Sequence, residues 1–334
     1  MICIHHNDAD GHCAAAIVAM QIAEDMEPMK FIEYGHSKPI ELNEDDIHDK
    51  ERVFIVDLAL DENVMSVIRQ CLKRDCQIVH IDHHIGGKTF EENLNNCDKI
   101  LYERVTNLYR DGVSGCMLTF VYASMTPKER VNPMDVPFDF TEDYSHFAFY
   151  PEDKAKMREY FIPQAVRFID DNDVWRHQFS DTKYFIAALN TVDTSPLNYD
   201  LWKMFLYDND FKKLSSMIDI GEGIWKYQKS IYEQANHNGF EATIDGRHKG
   251  WIVNCPIGNS FLFGDKYKEY DFVCKYSYDG SIGKWRYTFY SNNDSTFDCA
   301  KVCRNIFSGG GHLHAAGGSL DYNYFHRAGT KNDE

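Results

Sequence analysis

Short uninterrupted apolar runs alternate with helical patterns along the first quarter of the chain. Ile2-Cys3-Ile4, Val53-Phe54-Ile55-Val56 and Ile78-Val79-His80-Ile81 have the length of buried strands, while Cys13 to Ala23 and Asn63 to Arg74 repeat apolar residues at helical spacing. Strand, helix, strand at this spacing predicts a parallel sheet flanked by helices. Further on, the stretch 126–163 holds five of the nine prolines (Pro127, Pro133, Pro137, Pro151 and Pro163) among aromatics and acids, which predicts an irregular insertion rather than sheet core. Apolar spacing in Leu201 to Leu206 and in Ile218 to Tyr232 predicts linking helices. Beyond Ala242, the runs Ile252-Val253-Asn254, Phe272-Val273-Cys274 and Trp285 to Tyr290 read as strands, separated by turns at Asp279-Gly280 and Ser281-Ile282-Gly283. The expected fold class is therefore α/β. It comprises a parallel-sheet domain over 1–194, a helical linker over 195–241, a smaller α/β domain over 242–328 and a frayed tail over 329–334.

Each of the first three strand-like runs ends in acids or histidines. The ends are His6-Asn7-Asp8-Ala9-Asp10-Gly11, Asp57 and Asp82-His83-His84. In an open parallel sheet the carboxyl ends of neighbouring strands meet at one crevice, so these three ends can share a site. If the first strand continues past His6, the side chains of His6, Asp8 and Asp10 project on one side and His5 on the other. Several carboxylates at close range repel strongly unless a cation or protons neutralise them. Imidazole with carboxylate, and without cysteine, suits manganese, magnesium or iron better than a structural zinc site, and manganese is the first choice. Two such ions ~3.5 to 4 Å apart can polarise a phosphate and generate hydroxide near neutral pH.

Composition narrows the partners. The chain has 334 residues, 43% of them hydrophobic and 26% charged, as in ordinary soluble domains. A formal net charge of −17 opposes a broad basic groove for a long duplex, because nonspecific nucleic-acid affinity comes mainly from phosphate neutralisation. A short, end-bound substrate fits better. No apolar stretch reaches the ~18 residues that a membrane span needs. Polar His5 to Asp10 interrupts the N-terminus before a signal-peptide core could form, so the ten cysteines are expected to be reduced and the location cytoplasmic. Cys299 and Cys303, at helical spacing, are read as buried cysteines rather than zinc ligands, and His80 as a satisfied core residue. No G-x-x-x-x-G-K-S/T is present, so a P-loop is not supported.

Two signatures together carry a family resemblance. Asp82-His83-His84 resembles the eponymous triplet of the DHH phosphoesterases, and Gly309-Gly310-Gly311-His312-Leu313-His314-Ala315-Ala316-Gly317 resembles the GGGHxxAAG pattern of the DHHA1 substrate domain. Phe168-Ile169-Asp170-Asp171-Asn172-Asp173-Val174-Trp175 is similar to the D-x-D-x-W segment of the nano-RNase (oligoribonuclease)-like branch. The resemblance implies that His6, Asp8 and Asp57 hold one metal and that Asp10, Asp57, His83 and a further aspartate hold the other, with Asp57 as the bridge. That aspartate is placed at Asp171, with Asp173 and Asp170 as alternatives. It further implies that His84 contacts the scissile phosphate and that Asp82 orients an imidazole. In the second domain, Gly309, Gly310, Gly311 and His312 would approach a phosphate.

The chain departs from the family pattern at two places. His6 stands two residues before Asp8, where many relatives have a histidine four before, which leaves His5 as a lesser candidate. Thr288-Phe289-Tyr290-Ser291 stands where relatives often carry S-L-R-S, so Tyr290 replaces a phosphate-binding arginine and Arg286 or Arg304 would compensate. The resulting expectation is a two-metal phosphodiesterase, using Mn2+ with Mg2+ or another divalent ion as alternatives. Its substrates would be short single-stranded oligonucleotides or linear dinucleotides, with no long duplex and no membrane partner, in a chain that admits a homodimer. Cyclic dinucleotides and 3′-phosphoadenosine 5′-phosphate are the alternative substrates. From another class comes a nucleotide-sequestering protein that has lost turnover.

Overall fold

A computed structural model of the chain describes residues 1–23, 28–35, 39–150, 156–208, 211–292, 294–311 and 313–325. It divides into two compact units, Met1–Ile224 and Trp225–Glu334.

Among the described residues of the first unit, five parallel strands lie in the order β2-β1-β3-β4-β5: β1 (Ile2–His6), β2 (Lys30–Tyr34), β3 (Arg52–Val56), β4 (Gln77–Asp82) and β5 (Thr106–Tyr109). The expected strands are all present. β2 and β5 are additional, and both sit at the sheet edges. Side chains alternate between two cores. Ile2, Ile4, Val53, Ile55 and Ile78 face one with α2 (Glu62–Lys73), whereas Cys3, Phe54, Val56 and Ile81 face the other with α1 (Ala9–Ile17) and α5 (Gly115–Ser124). α1 continues as a π-helical turn at Val18–Ile22. Cys13 to Ile17 are fully buried, so this helix has no polar face, in keeping with its Ala-rich sequence. The first crossovers also include α3 (Ile85–Glu92) and α4 (Asn96–Tyr102). Strand order reverses between β1 and β3, and that reversal opens the crevice in which doubly wound sheets bind ligands.

The stretch 126–163 corrects the expectation of irregular structure. It contains a separate antiparallel sheet of β6 (Phe138–Phe140), β7 (His146–Phe149) and β8 (Arg158–Phe161). The described prolines lie outside the strands. Pro137 precedes β6, Pro163 follows β8 and Pro133 opens a 3-10 turn, so none removes a ladder hydrogen bond. Pro151 lies outside the described residues. Phe147 and Phe149 are buried, and Phe147 stacks on Tyr160 with ring centroids 5.3 Å apart.

α6 (Gln164–Asp173), α7 (Thr182–Leu189) and α8 (Tyr199–Lys203) complete the first unit's packing. The segment expected as a linker, 195–241, contains α8, a π-helical turn at Met204–Asp208 and the 27-residue α9 (Phe211–His237), and the division between units falls within α9.

In the second unit, β9 (Phe240–Ile244), β10 (His248–Asn254), β11 (Phe272–Asp279), β12 (Lys284–Tyr290), β13 (Gly310–Gly311) and β14 (Ala315–Leu320) form a sheet ordered β13-β14-β12-β11-β10-β9. Only β10 and β11 pair in parallel. α10 (Lys266–Glu269) and α11 (Cys299–Ile306) accompany it. The tail 329–334 lies outside the described residues, and among those described no helix is long and apolar enough to cross a membrane.

The aromatic packing of the inserted sheet has a measurable weight. Phe147→Ala is expected to lower unfolding free energy by about 3 kcal/mol in denaturant titrations; an unchanged midpoint would contradict the packing described.

Candidate metal centre

The side chains that converge here do so because of where two helices begin. β1 stops at His6, and Asp8 is the N-cap of α1: its Oδ1 accepts from Gly11 N at 2.9 Å while its Oδ2 lies 2.7 Å from His6 Nδ1. The extended run expected through Asp10 is therefore replaced by a helical turn, and it is that turn which gathers the three residues. Asp10, in the first turn of α1, is buried and accepts from Gly115 N (2.7 Å) and Cys116 N (2.9 Å) at the N-terminus of α5, an end suited to anions.

Asp57 follows β3. Its backbone adopts φ +56°, and its N–H donates to Ile81 O at 2.8 Å. The residue is 1% exposed, and neither carboxylate oxygen has a hydrogen-bond partner. His6 Nδ1 is 3.8 Å from Asp57 Oδ2. On the other side, His83 Nε2 is 3.3 Å from Asp57 Oδ1, 3.4 Å from Asp173 Oδ2 and 4.0 Å from Asp10 Oδ2. Three overlapping sets result: His6, Asp8 and Asp57; Asp57, His83 and His84; and Asp10, His83 and Asp173. Within each, donor atoms lie within 4.8 Å of one another.

Burial, then the charges of Asp10, Asp8 and other neighbours, pushes the Asp57 carboxyl well above its ordinary range, and the same causes act on Asp173. Asp8 differs. Burial raises its carboxyl, but the hydrogen bond and charge of His6 outweigh that and bring it down to about 2. Burial likewise opposes charge on His84, yet Asp82, whose Oδ1 lies 2.6 Å from His84 Nδ1, holds the imidazole above its usual value. Buried carboxylate oxygens without donors beside two imidazoles are what a hard divalent cation would satisfy, so the residues present fit such an ion.

The aspartate from the later segment is not the one first expected. Asp171 turns away, accepting from Gln178 N (2.7 Å), Phe179 N (3.3 Å) and Thr182 Oγ1 (2.6 Å), and so ties the end of α6 to α7. Asp170 accepts from Ser114 N at 2.8 Å and pairs with Arg176, and burial pushes its carboxyl up to about 6 against that pull. Asp173, the last residue of α6, is the member that reaches the cluster. Successive helical residues diverge by about 100°, which turns Asp171 away from its neighbours, whereas Asp170 shares a face with Asp173 and is kept from the cluster by Ser114 N and Arg176.

Sequence reasoning missed the supports. Arg176 also donates to Gly112 O at 2.9 Å and stacks over Tyr144 at 3.7 Å; Gly115 and Cys116 bind Asp10. A Ser114-Gly115 helix start was the available signal. Glycine is required at two contacts. A Cβ on Gly115 would lie 2.6 Å from Asp57 Cβ, and one on Gly11 would lie 2.4 Å from His6 O. His5 points elsewhere, packing against His12 and Phe31, and burial lowers its imidazole to about 4.

Residues 1–142 match the family model "DHH family, N-terminal domain". Over that stretch the chain is similar to the N-terminal domain of the DHH family. Solved structures share its fold. The DHH domain of a member of the s1p family of ribosomal proteins aligns at TM-score 0.56 and 14% identity, over 96% of this chain and 82% of that one. RecJ from Thermus thermophilus, in complex with Mn2+, aligns at TM-score 0.50 and 12% identity, over 96% of this chain and 49% of that one. No curated protein matches.

Beyond the matched residues, the second-unit candidates occupy varied settings. Tyr290 is buried in an apolar cluster with Tyr232, Val253 and Phe263, where burial first of all pushes its hydroxyl far up. Arg304 is exposed on α11, and Arg286 pairs with Asp279 at 3.2 Å. Gly309 and Gly311 pack against the backbone of β14, where a Cβ would come within 2.0 Å of Gly317 O and 2.7 Å of Ala315 O; Gly310 has open space. His312 lies outside the described residues.

The geometry separates the two aspartates experimentally. Asp171→Asn leaves at least one of three donors without its acceptor, and is expected to cost about 1 to 3 kcal/mol of stability while divalent cations still raise the melting temperature as in the parent. Asp173→Asn removes a like charge and is expected to keep or gain stability but to shrink the cation-induced shift. The reverse pattern in differential scanning calorimetry would overturn the assignment.

Proposed function

We propose that this phosphoester hydrolase of the DHH type cleaves phosphodiester bonds in short oligonucleotides or linear dinucleotides, releasing mononucleotides, with two Mn2+ ions. The observation that carries the reading is Asp57, a buried carboxylate with no hydrogen-bond partner at either oxygen, between His6 and Asp8 on one side and His83 and Asp173 on the other.

His6, Asp8 and Asp57 would hold one ion, and Asp10, Asp57, His83 and Asp173 the other. When bound, the pair supplies Lewis acidity toward the phosphate and lowers the pKa of a water near it. The chain's own residues do the rest. Asp82 accepts from His84 Nδ1 and fixes the ring, which would present its other nitrogen to the phosphate of the substrate. The Asp82 carboxylate, by raising the His84 imidazole above its usual value, favours its contact with an anionic oxygen. Asp10, already bound by the Gly115 and Cys116 amides, cannot swing away when substrate leaves.

The substrate class rests on the D-x-D-x-W and GGGHxxAAG resemblance, which would make the second unit a DHHA1 domain that grips one nucleotide. Open space at Gly310 supports close approach of a phosphate to the backbone there. The overall charge of −17 favours a short substrate over a long duplex.

The test is an assay of labelled two- to five-residue oligonucleotides against cyclic dinucleotides and 3′-phosphoadenosine 5′-phosphate, with Mn2+, Mg2+ and no metal. Mononucleotide release fastest from the linear substrates with Mn2+ is expected. No such release would end this substrate class. Asp57→Ala should reduce turnover beyond the roughly 10- to 100-fold typical of losing a supporting partner, whereas mere nucleotide sequestration would survive the change.

A further inference from the structure

A buried chain of hydrogen bonds behind Asp57 has no role in the reading above. His80, in the middle of β4, is 3% exposed; its Nε2 lies 2.8 Å from Leu58 O and its Nδ1 lies 2.7 Å from the Tyr102 hydroxyl at the end of α4. A backbone carbonyl only accepts, so Nε2 must carry the proton. In the neutral ring Nδ1 is then the acceptor, and the Tyr102 O–H donates to it. Tyr102 is also buried, and its ring meets the imidazole edge to face at 6.0 Å.

The carbonyl held this way belongs to the residue after Asp57. Asp57 sits at φ +56°, a left-handed conformation that an aspartate keeps only where its surroundings impose it. Leaving the sheet at that point strands the Leu58 carbonyl in the apolar core, where a buried acceptor needs a donor. His80 supplies it. The same short segment is bounded on its other flank, where a Cβ on Gly87 would come 2.8 Å from Leu60 N. Relaxing Asp57 into the ordinary extended region would swing Leu58 O away from His80 Nε2 and its own carboxylate away from His6 and His83.

We infer that Tyr102 and His80 form a positioning relay, Tyr102 O–H to His80 and His80 Nε2–H to Leu58 O, that holds the turn carrying Asp57 and so sets the geometry of a carboxylate that would serve both cation positions. This rests on the metal reading proposed above. Neither residue touches the cluster. Their effect reaches it through one carbonyl and one backbone turn.

The experiment measures Mn2+ binding to the full chain by titration calorimetry, with electron paramagnetic resonance to detect magnetic coupling between two ions that share a ligand. Tyr102→Phe removes a single oxygen, His80→Leu removes both hydrogen bonds, and His80→Gln can donate to Leu58 O and accept from Tyr102. Circular dichroism and melting curves establish that each variant is folded. Loss of roughly tenfold or more in Mn2+ affinity for His80→Leu, a smaller loss for Tyr102→Phe, weakened coupling in both, and affinity within about threefold of the parent for His80→Gln are expected. A residue that merely fills the core would lower the melting temperature and leave affinity and coupling untouched, and that result overturns the relay. If His80→Leu does not fold, Tyr102→Phe alone decides in the same way. If the parent chain binds no Mn2+, the metal reading itself fails and the relay falls with it.

Discussion

Like charge crowded around one buried carboxylate, Asp57, is the constraint around which the first unit is organised. Asp10, Asp57 and Asp173 approach His83 from three elements, and Asp57 has neither solvent nor donor to stabilise its charge. An interior of that kind is unfavourable for folding taken alone. It becomes intelligible as a receptacle for positive charge, and the elements around it are arranged to keep the acids from separating.

Three devices do this, each traceable to residues. Asp8 uses one oxygen to cap α1 and the other to hold His6, so a helix start and an imidazole are fixed by one side chain. Asp10 is gripped by the first amides of α5, which offset part of its charge. Asp170 and Asp171, which flank the route to Asp173 without reaching the cluster, lock the end of α6 to Arg176, Ser114 and Thr182. The acidic run Asp170-Asp171-Asn172-Asp173 is thus divided by the partners each acid meets, Asp170 and Asp171 serving as supports and Asp173 reaching the cluster.

That division explains what the sequence could disclose and what it withheld. Apolar runs of three or four residues identified β1, β3 and β4 because those strands are buried on both faces. β2 and β5 escaped because Lys30–Tyr34 and Thr106–Tyr109 are edge strands with polar residues among their few apolar ones. Strand ends announced His6, Asp57 and His83, since topology alone brings such ends together. The choice among Asp170, Asp171 and Asp173 was beyond reach, because it depends on the rotation of α6 about its axis and on Ser114 and Arg176, which engage Asp170 only in the folded chain. The inserted sheet was hidden by prolines that turned out to border its strands. Nothing in the sequence pattern distinguished His80 as a donor to Leu58 O, because that contact exists only once Asp57 has left the sheet.

The glycine contacts at positions 11 and 115 carry a quantitative implication. At both, main chain or a Cβ stands where any side chain of the opposing residue would have to be. The spacing between strand end and helix start is consequently dictated by a hydrogen atom, not by a rotamer. A pocket walled in this manner inherits the low compressibility of close-packed backbone. Any bulkier residue at either position would wedge the strand end from the helix start and part the acids they carry.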